Sequence, residues 1–283
     1  MIQDIKPHQF HNEFQPQPPQ PNSRILNYHD RTIMVKRTDD HGLCFPVFQD
    51  LYDNGLGVCE QYTYLFSIDS IGYYAFPEVE TFLTDEYEFI SLQALRSAKP
   101  QYLAFAGVTG YQLYEWYVSH RFCGKCGRPL EKDTKERMLR CDFCKQVEYP
   151  SISPAVIVAV TNNDRLLLSK YADREYKKYA LLAGFTEIGE TIEETVQREV
   201  MEEVGLKVKN IRYYKSQPWS FSGSLLFGFF CEVDGDDTIH MDPNELSVAK
   251  WVKRDEIPEI ESDISLTNEM ISLFQHGTSN YFI

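Results

Sequence analysis

The second half of the chain carries the sharper hydrophobic pattern. From Ser153 the text PAVIVAVT is a continuous apolar run, which predicts a strand buried on both faces. Asn162-Asn163-Asp164 predicts a turn and RLLLSKY the returning second strand. Gly184 to Leu206 reads as a loop, one short helix and a stop. Within it Ile192, Val196, Val200 and Val204 recur every four residues and predict one buried helical face. Thr191 with Glu194 three positions on is a capping-box pattern, and Gly205 supplies the left-handed residue that ends the helix. VKNIRYYKS, SLLFGFFCEV and SVAKWVKR predict three further strands. SLTNEMISLFQ, capped by Ser265 or Asp263, predicts a closing helix.

The first 118 residues are less regular. QPQPPQPNS is Pro-rich and extended, and it runs into the strand candidate RTIMVKR. QYTYLFSI and YYAF predict two more strands, so this part reads as a small β-rich domain. EYEFISLQALRSA and AFAGVTGYQLYEWYVSH predict helices. The second has an aromatic stripe through Tyr111, Tyr114, Trp116 and Tyr117, read as core or subunit interface. Three parts follow: a β-rich domain with a helical end at 1–118, a cysteine-paired segment at 119–149, and an α/β domain at 150–283.

Composition bounds the function. With 43% hydrophobic and 14% aromatic residues the 283-residue chain can build real cores. A formal charge of −14 opposes a surface that wraps nucleic acid. No window resembles a membrane span and MIQDIKPHQF has no apolar signal core, so a soluble cytoplasmic protein without a membrane partner is expected. Four of the seven cysteines stand as Cys123-x-x-Cys126 and Cys141-x-x-Cys144, the spacing of a tetrahedral thiolate cage for one structural Zn²⁺ per chain. Gly124 and Gly127 are expected to permit the first tight turn. Cys44, Cys59 and Cys231 read as small core residues. The paired segment is locally basic through Arg121, Lys125, Arg128, Lys132, Lys135, Arg137, Arg140 and Lys145, which suits solvated lysines first and a phosphate or RNA contact second.

The chemistry is concentrated on the predicted helix. Glu199, Glu202 and Glu203 fall at i, i+3 and i+4 and put three carboxylates on one face, where they repel unless a hard divalent cation binds them. The whole stretch, Gly184 with Glu190 and then Arg198-Glu199-Val200-Met201-Glu202-Glu203-Val204-Gly205-Leu206, resembles a complete Nudix box. That resemblance implies an α/β/α sandwich and a Mg²⁺- or Mn²⁺-dependent hydrolase, with two or more catalytic ions per site. It assigns metal ligation to Glu199, Glu202, Glu203 and the carbonyl of Ala183, water activation first to Glu203, and a loop-to-helix tie to Glu190 and Arg198.

A second stretch narrows the class. Ser216-Gln217-Pro218-Trp219-Ser220-Phe221-Ser222-Gly223-Ser224 reads as a loop with aromatics for stacking and hydroxyls for hydrogen bonding. After a Nudix box, and with RFCGKCGRPL upstream, it is similar to the motif of the NADH pyrophosphatases. Ser220 and Ser222 stand where that group has prolines, so two fixed φ angles are missing. The resemblance makes Gln217 to Ser224 part of a nucleotide pocket and Phe185 a stacking platform. It makes Tyr149, from the second subunit of a homodimer, and Glu136 substrate contacts, and Glu245 an extra metal ligand. The structural alternatives are a core Phe, a packed Tyr and two solvated glutamates. The expected function is an NAD(H) diphosphatase that yields AMP and nicotinamide mononucleotide and also removes NAD caps from RNA. The alternatives are hydrolysis of an ADP-sugar or a diadenosine polyphosphate, or a nucleotide-sensing regulator.

Overall fold

The computed structural model describes residues 1–38, 42–53, 62–76, 86–172, 178–260 and 264–277. Two units form: residues 2–151 together with 220–223, and Met1 together with 152–219 and 224–283. Asp263 and Cys59 lie outside the described residues.

The first unit is built on β1 (Phe10–His11), β2 (Arg24–His29), β3 (Thr32–Arg37), β4 (Leu43–Cys44), helix α1 (Phe48–Asp53), β5 (Thr63–Ile68), β6 (Ile71–Phe76) and β7 (Glu88–Ser91). Among the described residues the strands run in the order β1-β5-β6-β2-β3-β4, with β7 also on β3. Asp30 and Asp69 take positive φ in the two tight hairpin turns, a conformation that aspartate tolerates. A 19-residue helix, α2 (Gln101–Ser119), covers one face and buries Tyr111 and Trp116. Tyr28 of β2 donates to the Gly107 carbonyl at 2.7 Å and packs against Tyr111 and Tyr114. The aromatic stripe is thus core. Ile25, Met34, Phe48, Tyr64, Tyr74 and Phe76 form a second apolar cluster.

Two readings need correction here. EYEFIS is not helical: Glu88–Ser91 pairs antiparallel with β3, and only Leu92–Arg96 turns into a short 3-10 helix. RILNYH, not expected as a strand, is β2 and pairs parallel with β6. Pairing partners far along the chain override a helix-forming composition.

The cysteine-paired segment continues the same unit as β8 (Glu131–Lys132), β9 (Leu139–Arg140) and β10 (Val147–Glu148), in the order β10-β9-β8. Its basic residues are partly committed to structure. Arg137 donates to the side chain and carbonyl of Asn12 and to the Leu65 carbonyl. Lys132 donates to Thr63 and lies over the Tyr117 ring. The local charge is therefore in part a clasp on β5.

The second unit comprises β11 (Ser153–Asn162), β12 (Arg165–Tyr171), β13 (Leu182–Phe185), α3 (Ile192–Val204), β14 (Val208–Trp219), β15 (Ser224–Val233), β16 (Leu246–Lys253) and α4 (Leu266–His276). The sheet order is β14-β15-β11-β12-β16, with β13 also on β11. Alternate residues of β11 go to opposite sides. Val156, Val158 and Val160 join Val196, Val200 and Val204 of α3, whereas Ile157 and Ala159 join Leu266, Met270 and Phe274 of α4. This explains the unbroken apolar run and makes the α/β/α sandwich that a Nudix box implies. Ser265 caps α4 by accepting from the Asn268 N–H. Cys231 is a buried core residue, whereas Cys44 is only half-buried.

Candidate active site

The box begins on a strand rather than a loop. Ala183, Gly184 and Phe185 lie on β13, with Gly184 paired to Val156 of β11. The pairing sets β13 against α3, and the missing Cβ of Gly184 decides how closely. A Cβ built there would sit 1.8–2.2 Å from the Glu199 carboxylate. Glycine is needed because that carboxylate occupies the space a side chain would take.

Helix α3 is fixed at both ends. Thr191 accepts from the Glu194 N–H at 3.2 Å while Glu194 accepts from the Thr191 N–H at 2.8 Å, a complete capping box. Gly205 stops the helix with φ +70. Inside, Arg198 draws the carboxylates together. Its guanidinium donates to Glu190 through two nitrogens, to the Phe185 carbonyl at 2.9 Å, to Glu199 at 2.8 Å and to Glu202 at 2.9 Å. The bidentate Arg198 contact holds the Glu190 carboxyl down at about 2, helped by the Glu187 N–H and the Thr195 hydroxyl. Burial acts the other way on Glu199 and raises its pKa, although Arg198 opposes the shift.

Glu203 is the most enclosed of the three, 5% exposed, and Glu202 is exposed. The Asp242 N–H donates to the Glu203 carbonyl at 2.9 Å, which ties the turn carrying Glu245 to the helix. Glu245 in turn gives its carbonyl to the Ala172 N–H. Among the described residues the carboxylates do not close into a tight cluster; Arg198 holds Glu199 and Glu202 on one nitrogen, Nη1, and Glu190 on Nε and Nη2. The donor set still fits a hard divalent cation. It is all oxygen, the ligand type that such a cation takes, and Glu203 of the set is buried. Phe185 is 55% exposed, an open aromatic face beside these groups on β13.

The stretch 216–224 is not a loop. Ser216–Trp219 ends β14 and pairs with Ser224–Phe227 of β15, so the motif is the tip of a long hairpin. Gln217 is fully buried, accepts from the Leu266 N–H at 2.6 Å and donates to the Ile264 carbonyl at 2.9 Å. It fixes the start of α4, and its amide is not presented to a ligand. Phe221, Ser220 and Ser224 are buried as well, whereas Pro218 and Ser222 are exposed and Trp219 is half-buried. The buried Phe221 ring has the Arg96 guanidinium over it, 5.0 Å from its centroid.

Cys123, Cys126, Cys141 and Cys144 bring all four sulfurs within 4.8 Å of one another. The Cys123–Cys144 and Cys126–Cys141 separations are both 3.5 Å. A tetrahedral cage with Zn–S bonds of ~2.3 Å has edges of about 3.8 Å, so the four thiols fit zinc. The two knuckles repeat one hydrogen-bond pattern: Cys123 N–H to Arg128 and Gly127 N–H to Cys123, then Cys141 N–H to Gln146 and Lys145 N–H to Cys141. Gly127 and Lys145 take the left-handed position in each, and Gly124 does not. Main-chain N–H groups of Cys144 and Phe143, with the neighbouring thiols, bring the Cys141 thiol down to about 7, towards the thiolate that zinc requires.

Tyr149 and Glu136 meet within the ribbon, the phenol donating to the carboxylate at 3.1 Å, and that bond raises the Tyr149 pKa. Asp133, which no sequence motif singled out, sets up the pair. It accepts from the Lys135 N–H at 2.7 Å and the Glu136 N–H at 3.0 Å, with Arg140 on its other oxygen. An Asp two residues ahead of a polar turn was the available signal.

Residues 152–274 match the NUDIX domain family, and residues 119–149 match the NADH pyrophosphatase zinc ribbon domain. A protein of Salmonella schwarzengrund (strain CVM19633) named NAD-capped RNA hydrolase NudC is 46% identical over 149 residues, 53% of this chain and 58% of its own. A protein of the same name from Salmonella heidelberg (strain SL476) is 45% identical over the same shares. The chain thus spans little more than half the length of the curated relatives it matches. A solved NUDIX hydrolase from Nitrosomonas europaea is 21% identical, with a TM-score of 0.49 over 57% of this chain and 93% of its own. From residue 119 to residue 274, therefore, the chain carries a zinc ribbon of the NADH pyrophosphatase kind followed directly by a Nudix domain.

Proposed function

We propose that the protein is an NAD(H) diphosphatase that adds water across the pyrophosphate of NAD⁺ or NADH and releases AMP and nicotinamide mononucleotide, the latter oxidised or reduced as the substrate is. The observation that carries this reading is the zinc ribbon of the NADH pyrophosphatase kind directly before a Nudix domain with no box glutamate missing. Glu199, Glu202, Glu203, Glu245 and the Ala183 carbonyl would hold the divalent ions, Mg²⁺ or Mn²⁺. Such ions supply a bound water of lowered pKa and neutralise charge on phosphate oxygens. Glu203 is the residue that takes the proton of the attacking water, since it is enclosed and on the carboxylate face. Arg198 keeps Glu199 and Glu202 oriented, and Phe185 offers a ring for the base or the nicotinamide.

The same bond in NAD-capped RNA is the second substrate, a reading that the relatives' names support. Cationic surface for an RNA chain has to come from Arg121, Lys125, Lys135 and Lys145, because Lys132 and Arg137 are engaged with β5. The exposed Phe122, Phe143, Tyr149 and Ile152 suit a homodimer contact, which the mass in solution would check. A zinc-type thiol tetrad suits the reducing cytoplasm.

Product identification by mass, with NADH and NAD-capped RNA and with or without Mg²⁺ or Mn²⁺, tests the assignment. AMP and reduced nicotinamide mononucleotide should form from NADH only with metal. Glu203→Gln should slow turnover by roughly two to four orders of magnitude while the protein stays folded. Full activity in folded Glu203→Gln would remove the assigned base. No cleavage of NADH with either metal would remove the substrate.

A further inference from the structure

The hairpin tip Ser220–Gly223 belongs, alone among residues beyond 151, with the first unit. Its serines supply no fixed φ, so the order of the tip has to come from contacts. Those contacts are specific. Phe221 is only 7% exposed, and the Arg96 guanidinium lies over its ring, 5.0 Å from the centroid. Arg31 donates from Nη2 to the Phe221 carbonyl at 3.3 Å and lies 5.8 Å from the centre of the Tyr111 ring. The two arginines are themselves linked. The Leu92 N–H, at the start of the short helix that ends in Arg96, donates to the Arg31 carbonyl at 3.0 Å. One residue of the tip is thus gripped by its ring and by its carbonyl, from two segments that brace each other.

We propose that Arg31 and Arg96 are positioning residues for the substrate hairpin, and that they set its specificity through Phe221. Neither needs to touch the substrate. By fixing Phe221 they fix the stance of Trp219 and Ser222 on either side of it, the half-buried indole that precedes the tip and the exposed hydroxyl within it. This rests on the reading of the chain as a dinucleotide diphosphatase in which the hairpin meets the nucleotide. The arrangement is specific to a short segment, since Arg31 sits in the β2–β3 turn and Arg96 at the end of a 3-10 helix.

The test uses the full zinc-loaded chain with Arg31→Ala, Arg96→Ala, the double change and Arg96→Lys. Amide exchange of the peptide spanning 217–225 reads the tip directly, and NADH kinetics read its consequence. In the double variant exchange at the tip should rise about tenfold or more. KM should rise roughly tenfold, with kcat kept within about twofold, because only placement of the bound substrate is disturbed. Arg96→Lys should recover part of the loss, since it restores a cation over the ring. Unchanged exchange in the folded double variant overturns the grip. Raised exchange with an unchanged KM overturns the link to specificity, and so does a fall in kcat alone. If the wild type fails to cleave NADH, the diphosphatase reading falls and takes the specificity claim with it, while the exchange result still decides whether the arginines hold the tip.

Discussion

Gly184 and Glu199 share one small volume, and this sets the tolerance of the site. A methyl at position 184 would displace the far end of a flexible glutamate, not the backbone. Gly184→Ala should therefore fold with a nearly unchanged melting temperature yet lose activity roughly a hundredfold, the cost of misplacing a group by about 1 Å. Matched thermal melts and initial rates check the pairing of those two outcomes. Glu190 makes a second statement at this scale. Its carboxyl is depressed from an ordinary 4.5 to about 2 by Arg198, so its contribution to stability is complete above 4.5 and lost as pH falls towards 2. Urea midpoints of wild type and Glu190→Gln should differ at neutral pH and converge over that acid range. Among single residues, Glu199, Glu202 and Glu203 were legible because one helix sets their spacing. Gln217 and Phe221 were not, because the Leu266 N–H and the Arg96 guanidinium that claim them lie far along the chain.

At the level of elements the caps and the two-sided strand were readable without a structure. A capping box needs four consecutive residues and β11 needs ten, so both are local statements. The hairpin was harder. Ser216–Trp219 and Ser224–Phe227 pair across a four-residue tip whose serines and glycine resemble a loop, and only the register shows the strand continuing. Glu88–Ser91 misled for the reverse reason, since its helix-forming composition yields to pairing with β3. Gly205 is the element-scale test. It carries φ +70, and a Cβ there would lie 2.9 Å from His240 Cβ. Gly205→Ala should cost about 1–2 kcal/mol from the left-handed backbone, with any adjustment around His240 added. Chemical denaturation compared with Thr191→Ala, about 1 kcal/mol for a lost N-cap, would show which end of α3 matters more.

At the level of the molecule the zinc ribbon is the part least able to stand without its ion. Its buried residues are few, Cys123, Met138, Leu139 and Cys141, and two of those are thiols of the cage. The purified chain should carry about one zinc per chain, and Cys141→Ser or a strong chelator should lower the melting midpoint. Removal should also free Lys132 and Arg137 from β5, which proteolysis within 119–149 would report. Elemental analysis without zinc in freshly purified protein would contradict the site. The cysteine spacing announced this centre because metal geometry is written in short intervals. The clasp onto β5 was hidden, since a lysine used as a fastener and one left in water read alike in a sequence.

One pairing sets the order in which the catalytic half can assemble. β11 runs parallel to β15 from Ser153–Ser224 to Thr161–Glu232, whereas its other partners are antiparallel. Those two strands enclose the whole box helix in the sequence between them. Closing so distant a contact has an entropic cost that local turns do not share, so the β11–β12 hairpin can form early and β15 only late. During synthesis, every glutamate of α3 leaves the ribosome before the strand that completes the sheet beneath it. A fragment of residues 152–219 would hold the entire box helix and still fail to fold cooperatively, and its near-ultraviolet dichroism should show no fixed tertiary signal. The proposed catalytic competence is then a late event on the folding path, decided by a strand that carries none of the glutamates assigned to metal.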